Sequence, residues 1–488
     1  MNAVLFEKRF DTGTTMEVSE DFTVPDYQPE IRRVVGVRGI ALIDGKYLTG
    51  DELEADGSVT YTVAYLDPEG CLNELSETSG YTGRIPTPAF PDDRFSASDL
   101  VMTAAAEGIS CRVSGPRKFT LSCRVRLGLL SQKPVDVSMK TEGLGVVRRR
   151  LRTVKTASLC EIRSGAEISG EIREREGMAI AGAQGAVCVS DVRIEDGKLA
   201  VKGDAYVTVL LRSPENGCLI TRGRAPIEET LDLPDLPSGV LCRAAVFPNV
   251  VLTELETSGD GTIAWRLEYD LDADIMKCGE SEITADAYSP ESECELGTAE
   301  IGSMTPAAVQ NGRLTLSSRM RARPGAEFIT AWGTGMIEKC AVSSGRAQIS
   351  GSVKVTVVSR AEGEYLTDET TIPLRYEWEA LPDAPDADDG QITAKTAVTV
   401  TDIAIRPGSA QSDGEEWSVT AELGIAAVLA VSVPLRAAVS LTPSENSAPL
   451  SKNIIRVYVP GEGESAWDVE KKFRLGKDAC AVDGVYVI

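Results

Sequence analysis

The sequence lacks the side chain that most often carries catalysis, because none of its 488 residues is a histidine. This excludes Ser-His-Asp and Cys-His nucleophiles, and also histidine-ligated zinc and non-haem iron sites. A general base would have to be a carboxylate, a lysine or a cysteine. A carboxylate pair of the glycosidase type is therefore the enzymatic alternative. Since no motif singles out such a pair, we predict a protein that is not an enzyme and has no catalytic residues.

The cysteines do not follow a metal-binding pattern. There are 11 of them, none lies in a Cys-x-x-Cys pair, and the odd number comes without a visible secretory signal. We interpret them as reduced thiols that mostly fill small positions in the core. A zinc or iron–sulfur site built from cysteines alone is the alternative, but the usual ligand spacing is absent. The sequence therefore predicts no metal site and no cofactor.

Two short segments resemble ligand-binding loops in composition only. Residues 381–390 carry four aspartates, which could offer oxygen ligands to calcium. Pro385 and Ala387, however, fall on positions that an EF-hand loop reserves for ligands, so we expect a solvated loop. Residues 333–336, Gly-Thr-Gly-Met, lack the spacing of a phosphate-binding loop and open no helix. We predict no phosphate site there.

The charge balance disfavours polyanionic partners. The chain has 50 Lys+Arg against 74 Asp+Glu, a formal net charge of −24. Nucleic acid and anionic membrane surfaces both require clustered basic residues, so neither is predicted as a partner. The densest basic run consists of Arg148, Arg149, Arg150, Arg152 and Lys155. It could dock on an acidic partner, or it could be the exposed face of a strand that enters the second repeat.

The sequence contains no candidate membrane span, since no stretch approaches 18 consecutive apolar residues. The first residues also lack the basic region followed by an apolar stretch that is typical of a secretory signal. These two features predict a protein of the cytoplasm.

Turn signals recur three times along the chain at intervals of roughly 150 residues, which is the pattern of an internal repeat. Asp-Gly and related pairs between apolar runs predict β-hairpins, because a type I′ turn needs positive φ at both central residues. Related strand sequences, from Ser58, Ala205 and Ser352, precede the three turns of the second set given below. The three sets are Asp44-Gly45-Lys46, Asp196-Gly197-Lys198 and Ser344-Gly345-Arg346; Glu69-Gly70, Asn216-Gly217 and Glu362-Gly363; and Ser114-Gly115, Asp260-Gly261 and Asp413-Gly414.

Alternation with a period of two accompanies these turns. Val59, Tyr61, Val63 and Tyr65 alternate with small or polar residues, as in a half-buried strand. Helical patterns are short, such as the segment that starts at Ser96. The predicted fold is mainly β, with three tandem antiparallel β domains and a small C-terminal α+β domain. The predicted divisions are residues 1–145, 146–305 and 306–445, followed by a linker and tail over 446–488, with Thr442–Lys452 as the linker sequence.

The tail has a different pattern. Residues 454–459 predict a short strand, Pro460-Gly461 a turn, and the last residues a second strand. Ser465 and Asp468 have the spacing of a helix N-cap, in which each side chain meets a free amide of the first turn. Ala466, Val469 and Phe473 would then share one buried face of the helix.

The residues Val24-Pro25-Asp26-Tyr27-Gln28-Pro29-Glu30-Ile31 and those up to Gly39 resemble the opening motif of the SPOCS domain. This domain belongs to spore-coat-associated proteins of clostridia and their relatives. Gln28 to Ile31 stand where the family has Lys-Pro-Asp-Ile. The resemblance implies a protein of the mother cell that acts at the outer forespore surface or spore coat.

The tail resembles a LysM domain, although the part that would form the second helix of a LysM domain is shortened to residues 476–484. In the SPOCS family, the resemblance implies that this tail binds a coat ATPase of the stage IV sporulation protein A type. The alternative is a cell-wall protein that binds peptidoglycan through LysM, which the missing signal and the shortened second half disfavour. Trp467 is either an interface anchor or a cover over the thin core of the tail. The residues implied in partner binding are Tyr458, Gly461, Ser465, Ala466, Trp467, Val469 and Phe473.

Overall fold

The structure is a computed structural model. It describes residues 4–49, 52–86, 100–141, 143–174, 177–213, 217–233, 241–258, 260–407, 415–444, 457–476, 481–482 and 485–487.

The fold is mainly β, as predicted, and its long strands fall into three consecutive sets of six. The first unit has β1 (Val4–Thr23), β2 (Arg33–Thr49), β3 (Glu52–Leu66), β4 (Leu72–Pro86), β5 (Leu100–Gly115) and β6 (Lys118–Asp136), and is followed by the short β7 (Lys140–Thr141). The second has β8 (Arg148–Arg173), β9 (Ala179–Glu195), β10 (Lys198–Arg212), β11 (Cys218–Asp232), β12 (Leu241–Thr257) and β13 (Thr262–Tyr288). The third has β14 (Cys294–Ala322), β15 (Glu327–Ser343), β16 (Arg346–Ala361), β17 (Glu364–Glu379), β18 (Ile392–Pro407) and β19 (Glu415–Pro443), with a 3₁₀ turn at Asp389–Gln391.

Each unit has the same strand order. Its second, third and fourth strands form one antiparallel sheet, and its first, sixth and fifth strands form another. The two sheets enclose a core of their own, because alternate residues of each strand point inward. In β3 these are Val59, Tyr61, Val63 and Tyr65, all fully buried, as the alternation predicted. The bridge Glu7–Ser303 joins β1 and β14, and with them the sheets that hold the first strands of the first and third units.

Most predicted hairpin turns are present. At Asp196-Gly197, Ser344-Gly345 and Glu362-Gly363 both residues have positive φ, as a type I′ turn requires. Turns also occur at the predicted Glu69-Gly70 and Asp260-Gly261. Ser114-Gly115 instead forms the end of β5, and the turn follows at Pro116-Arg117. Asn216 and Asp413-Gly414 lie outside the described residues, so those two predicted turns are not described.

The prediction of a turn at Asp44-Gly45-Lys46 was wrong. This segment lies inside β2, where Asp44 is the extra residue of a β-bulge opposite Asp56 and Gly57. Gly45 has no positive φ, and β2 continues to Thr49 before the chain reverses. The reason is that an X-Gly pair suits a bulge as well as a turn.

The helical pattern proposed from Ser96 was also wrong where the structure describes it, since residues 100–115 form β5. Leu100 and Met102 are buried in the core, and pairing with β6 overrides the local helical preference. The division proposed at residue 305 falls inside β14, and the third set of strands begins at Cys294. The first part of β14 is rich in small and polar residues, so the sequence pattern did not mark where this strand begins. The linker assigned to Thr442–Lys452 begins within β19, which ends at Pro443; residues 445–452 lie outside the described part.

The three units form a closed ring. The fourth strand of each unit lies against the second strand of the next, as β4 against β9, β11 against β15, and β17 against β2. A shared apolar cluster, here called the junction core, lies where the three sheets formed by second, third and fourth strands meet. Equivalent positions of the three third strands contribute Ala64, Leu210 and Val358. The ring uses one kind of contact three times and leaves no unit at an open end.

A second meeting point of the three units is ionic. The ammonium of Lys395, from the third unit, lies 2.9 Å from Glu161 and 2.8 Å from Asp274, both of the second unit. Lys46 of the first unit lies 2.5 Å from the other oxygen of Glu161. Lys395 also stands 4.7 Å over the ring of Phe247. Two cations and two carboxylates therefore balance each other in a site from which water is largely excluded.

At the end of the units away from the junction core, the paired first and sixth strands of each unit extend together. We call this part the stalk. Its apolar cluster draws on all three units. The cluster contains Leu5 of the first unit, Val137 of the segment that follows it, Val154 and Ile283 of the second unit, and Leu435 of the third. The C-terminal tail contacts the end of the second unit's pair, β8 and β13.

Candidate partner-binding site

The tail forms a small unit of one helix and three short strands, one more strand than predicted. Its elements are β20 (Val457–Tyr458), α1 (Ala466–Lys472), β21 (Ala481–Val482) and β22 (Val485–Val487). The strands pair in the antiparallel order β20-β22-β21. Val469 is fully buried against Leu475 and Tyr486, with Tyr458 and Phe473 packed around them. Such a core is too small to confer much stability alone.

Helix α1 begins where the sequence predicted. Ser465 is the N-cap, and its hydroxyl oxygen accepts from the amide of Asp468, while the Asp468 carboxylate accepts from the amide of Ser465. The predicted shared face is only partly present. Val469 is buried and Phe473 half-buried, but Ala466 is exposed. The small core of the tail reaches Val469 but does not extend to the first residue of the helix.

The loop before the helix is tied to Tyr458 and Glu464. The Tyr458 hydroxyl donates to Glu464 at 2.7 Å, and the amide of Gly461 donates to the same oxygen at 3.1 Å. The Tyr458 ring lies edge-on to Phe473, with centroids 4.8 Å apart, and Lys472 stands 4.6 Å above it. Tyr458, Val469 and Phe473 thus build the fold of the tail, whereas Gly461 and Ser465 shape its surface loop.

Trp467 faces the stalk. Its indole N–H donates to Asp286 Oδ2 at 2.8 Å, and its ring meets Tyr288 edge-on at 5.2 Å. Lys471, one turn further along α1, donates to Asp286 Oδ1 at 2.5 Å. Asp286 therefore receives two donors from the same helix. In this structure Trp467 is half-buried between the tail and β13.

Two further contacts hold the tail on the same strands. Arg148 of β8 lies 3.2 Å from Glu470, and the hydroxyl of Tyr288 donates to the carbonyl of Leu475 at 2.8 Å. Burial works against ionisation of Asp286, but the hydrogen bonds from Lys471 and Trp467 outweigh it and lower the pKa of this carboxyl. Asp286 is thus a stable anion that anchors the helix.

Sequence reasoning missed most of this docking surface. Arg148 belonged to the basic run singled out above, but nothing local marked Asp286 or Tyr288. They lie at the end of a 27-residue strand, β13, and become relevant only because the tail folds back on them.

The other segments considered for chemistry have structural roles. Residues 333–336 lie within β15 and form no loop. Residues 381–388 form the loop before β18, where Asp383 pairs with Lys155 and Asp386 accepts from the amide of Ser344. Among the described residues, the only group with metal-ligand geometry is Asp67, Glu69 and Cys71.

That group is better explained as an interface between units. Asp67 accepts from the Cys71 amide at 2.8 Å and from Asn73 at 3.1 Å, and Arg212 of the second unit lies 3.5 Å away. A guanidinium already occupies the place that a cation would take. Burial also raises the pKa of the Cys71 thiol, which disfavours the thiolate that a metal would need. The ten described cysteines form no disulfides with one another, and five of them are buried. Cys480 lies outside the described residues.

The segment that carries the SPOCS resemblance closes one end of the first unit. Val24 and Ile31 are buried in its core. The guanidinium of Arg117, in the turn between β5 and β6, donates to the carbonyls of Pro25 at 2.6 Å and Gln28 at 3.1 Å. The motif therefore spans the connection between β1 and β2 and the first part of β2.

No protein-family model, curated protein or solved structure matches this chain. Among the described residues, no helix is long and apolar enough to cross a membrane.

Proposed function

We propose that this chain is a non-enzymatic adaptor of the bacterial spore coat, which acts in the mother-cell cytoplasm at the outer forespore surface. The three β units would be SPOCS-like domains that form a rigid platform. The LysM-like tail would bind a coat ATPase of the stage IV sporulation protein A type. This arrangement resembles that of SipL, a clostridial SPOCS protein with a C-terminal LysM domain.

One observation carries the proposal: the tail is a separate small unit of one helix and three strands, whose own core contains residues that resemble LysM. Val469, Tyr458 and Phe473 pack with other tail residues in a cluster that contains no residue of the ring. The tail touches the platform mainly along one side of α1, through Trp467 and Lys471. Ala466, Gly461 and Ser465 remain exposed and would offer the surface for a partner.

The direct test is co-purification with a stage IV sporulation protein A-type ATPase. Removal of residues 453–488 should abolish it. Ala466→Glu should weaken it without unfolding the tail, because Ala466 is exposed. Ala179→Glu, the same change at an exposed position of β9, is the matched control and should bind normally. Full binding by the shortened chain would contradict the role assigned to the tail.

A sedimentation assay with purified peptidoglycan separates this proposal from the cell-wall alternative. We expect the chain to stay in the supernatant. Sedimentation that depends on the tail, without ATPase binding, would favour the peptidoglycan-binding function instead.

A further inference from the structure

The outer edge of the stalk presents an unusually exposed stretch of strand. In β8, five consecutive residues from Arg149 to Thr153 are exposed, although successive side chains of a strand point to opposite faces. Both faces of this stretch are therefore open to solvent. Within the described part of the chain, its backbone pairs with β13 alone, so the amides and carbonyls of its other edge have no strand partner.

This edge concentrates positive charge, of which the described residues neutralise only a part. The two ends of the basic run are engaged, Arg148 by Glu470 and Lys155 by Asp383. Arg149, Arg150 and Arg152 make no direct ion pair with a described carboxylate, although Arg150 attracts the Asp468 carboxylate of the tail electrostatically. Asp286 lies opposite Arg150 in the β8–β13 register, but its oxygens accept from Trp467 and Lys471. Three arginines thus face solvent in a chain of net charge −24.

Basic side chains on an edge strand are a known protection against pairing with a second copy. A second β8 would bring arginines beside arginines, which is unfavourable for cross-strand neighbours. The same charges attract an acidic strand. Leu151, which is 54% exposed, adds an apolar contact between the arginines.

We propose that residues 149–153 of β8 bind an extended, acidic segment of a partner protein by strand addition. Backbone hydrogen bonds would give the register, and carboxylates at alternate positions would meet Arg150 and Arg152. This surface lies on β8 and not on the tail, although Arg150 is close enough to attract Asp468 of α1. It would be a second contact beyond the one proposed above.

The test uses the full chain and a fluorescent octapeptide of alternating glutamate and valine, followed by fluorescence anisotropy. We expect saturable binding that weakens with salt. The R149A/R150A/R152A variant should bind at least about tenfold more weakly, which corresponds to about 1.4 kcal/mol. The matched control R112A/R124A/R126A removes the same charge from exposed positions of β5 and β6 and should bind normally. Thermal unfolding of both variants checks that they fold.

Two further probes decide the mode of binding. A peptide of alternating lysine and valine should not bind, and N-methylation of every second amide of the glutamate peptide should abolish binding, because it removes strand hydrogen bonds. Undiminished binding of the N-methylated peptide would show that the surface binds by charge alone, and would overturn strand addition. Equal binding of a DNA duplex would show a general polyanion site and overturn the choice of partner. These outcomes do not depend on whether the tail binds the ATPase.

Discussion

At the scale of single residues, Asp286 decides where the tail lies. It accepts from two side chains of α1 and has a lowered pKa, because the hydrogen bonds outweigh the cost of its partial burial. Trp467 was considered as an interface anchor or as a cover over the tail core, and its ring in fact lies between the tail and Tyr288. A partner that used the indole would have to displace it from Asp286.

Asp286→Ala should loosen the tail by about 1–2 kcal/mol, since it removes both hydrogen-bond acceptors from a partly buried contact. The measurement is hydrogen exchange of the α1 amides, which should become faster while those of β10 stay protected. Asp383→Ala, which breaks the exposed pair with Lys155, is the control and should leave α1 unchanged. Equal exchange of α1 in wild type and Asp286→Ala would argue against the anchor.

Asp274 also has an unusual environment. It is fully buried, and one of its carboxylate oxygens has no hydrogen-bond partner among the residues that the structure describes. Burial raises its pKa to about 6, although Lys395 opposes this rise. Its folded pKa therefore lies above its unfolded value, so the native state binds the proton more tightly and loses stability as pH rises through about 6.

We expect the wild type to lose stability relative to Asp274→Asn as the pH rises from 4 to 7. The variant keeps an acceptor for Lys395 but has no proton to lose at this position. Urea unfolding of both proteins across this pH range gives the difference directly. A constant difference between the two would mean that Asp274 ionises normally in the fold.

At the scale of elements, the second strand of each unit carries two β-bulges in equivalent places. One bulge makes Val35, Ala181 or Ile329 the extra residue, and these three side chains join the junction core. A bulge re-aims a side chain that the regular alternation would place elsewhere. The side chains that form the ring contacts are therefore positioned by β-bulges in the second strands.

The second bulge lies opposite a glycine in every unit, at Gly57, Gly203 and Gly351. A Cβ at any of these positions would collide with a carbonyl oxygen of the bulged strand. Gly57, Gly203 and Gly351 recur with the same spacing as the turn signals, and they would have been a sharper mark of the repeat than Asp44-Gly45.

Gly203→Ala should destabilise the protein by more than about 1 kcal/mol, because the backbone of β9 must shift to admit the methyl group. Gly80→Ala is the matched control: this glycine lies in β4 with open space around it and should tolerate the change. Chemical unfolding of the two variants checks the expectation. Equal stability would show that the bulge can move at no cost.

At the scale of the whole molecule, the ring closes between the third and first units. The ring of Trp332 packs on Gly36, and the guanidinium of Arg38 lies 5.7 Å from its centroid. Arg33 also donates to the carbonyl of Tyr365 at 2.7 Å. These contacts join segments some 300 residues apart in sequence and make the three units one body.

Trp332→Ala should cost roughly 3–5 kcal/mol, as expected for removal of a buried aromatic side chain. Met336→Ala, at an exposed position of the same strand, should change stability by no more than about 0.5 kcal/mol. Hydrogen exchange should show the largest loss of protection along β2 and β17, where the ring closes. A loss confined to the third unit would mean that Trp332 stabilises only its own domain.

The sequence by itself determined the mainly β fold, most hairpin turns and the start of α1, because alternation, paired turn residues and the Ser465–Asp468 cap act over a few neighbouring positions. Local pattern could not distinguish a bulge from a turn at Asp44-Gly45, or find the start of β14. Only the tertiary structure decided that the units close into a ring, that Lys395 meets Asp274, and that Trp467 rests on Asp286, 181 residues away. Such contacts depend on how whole sheets pack, and no local preference encodes the distance between two residues so far apart.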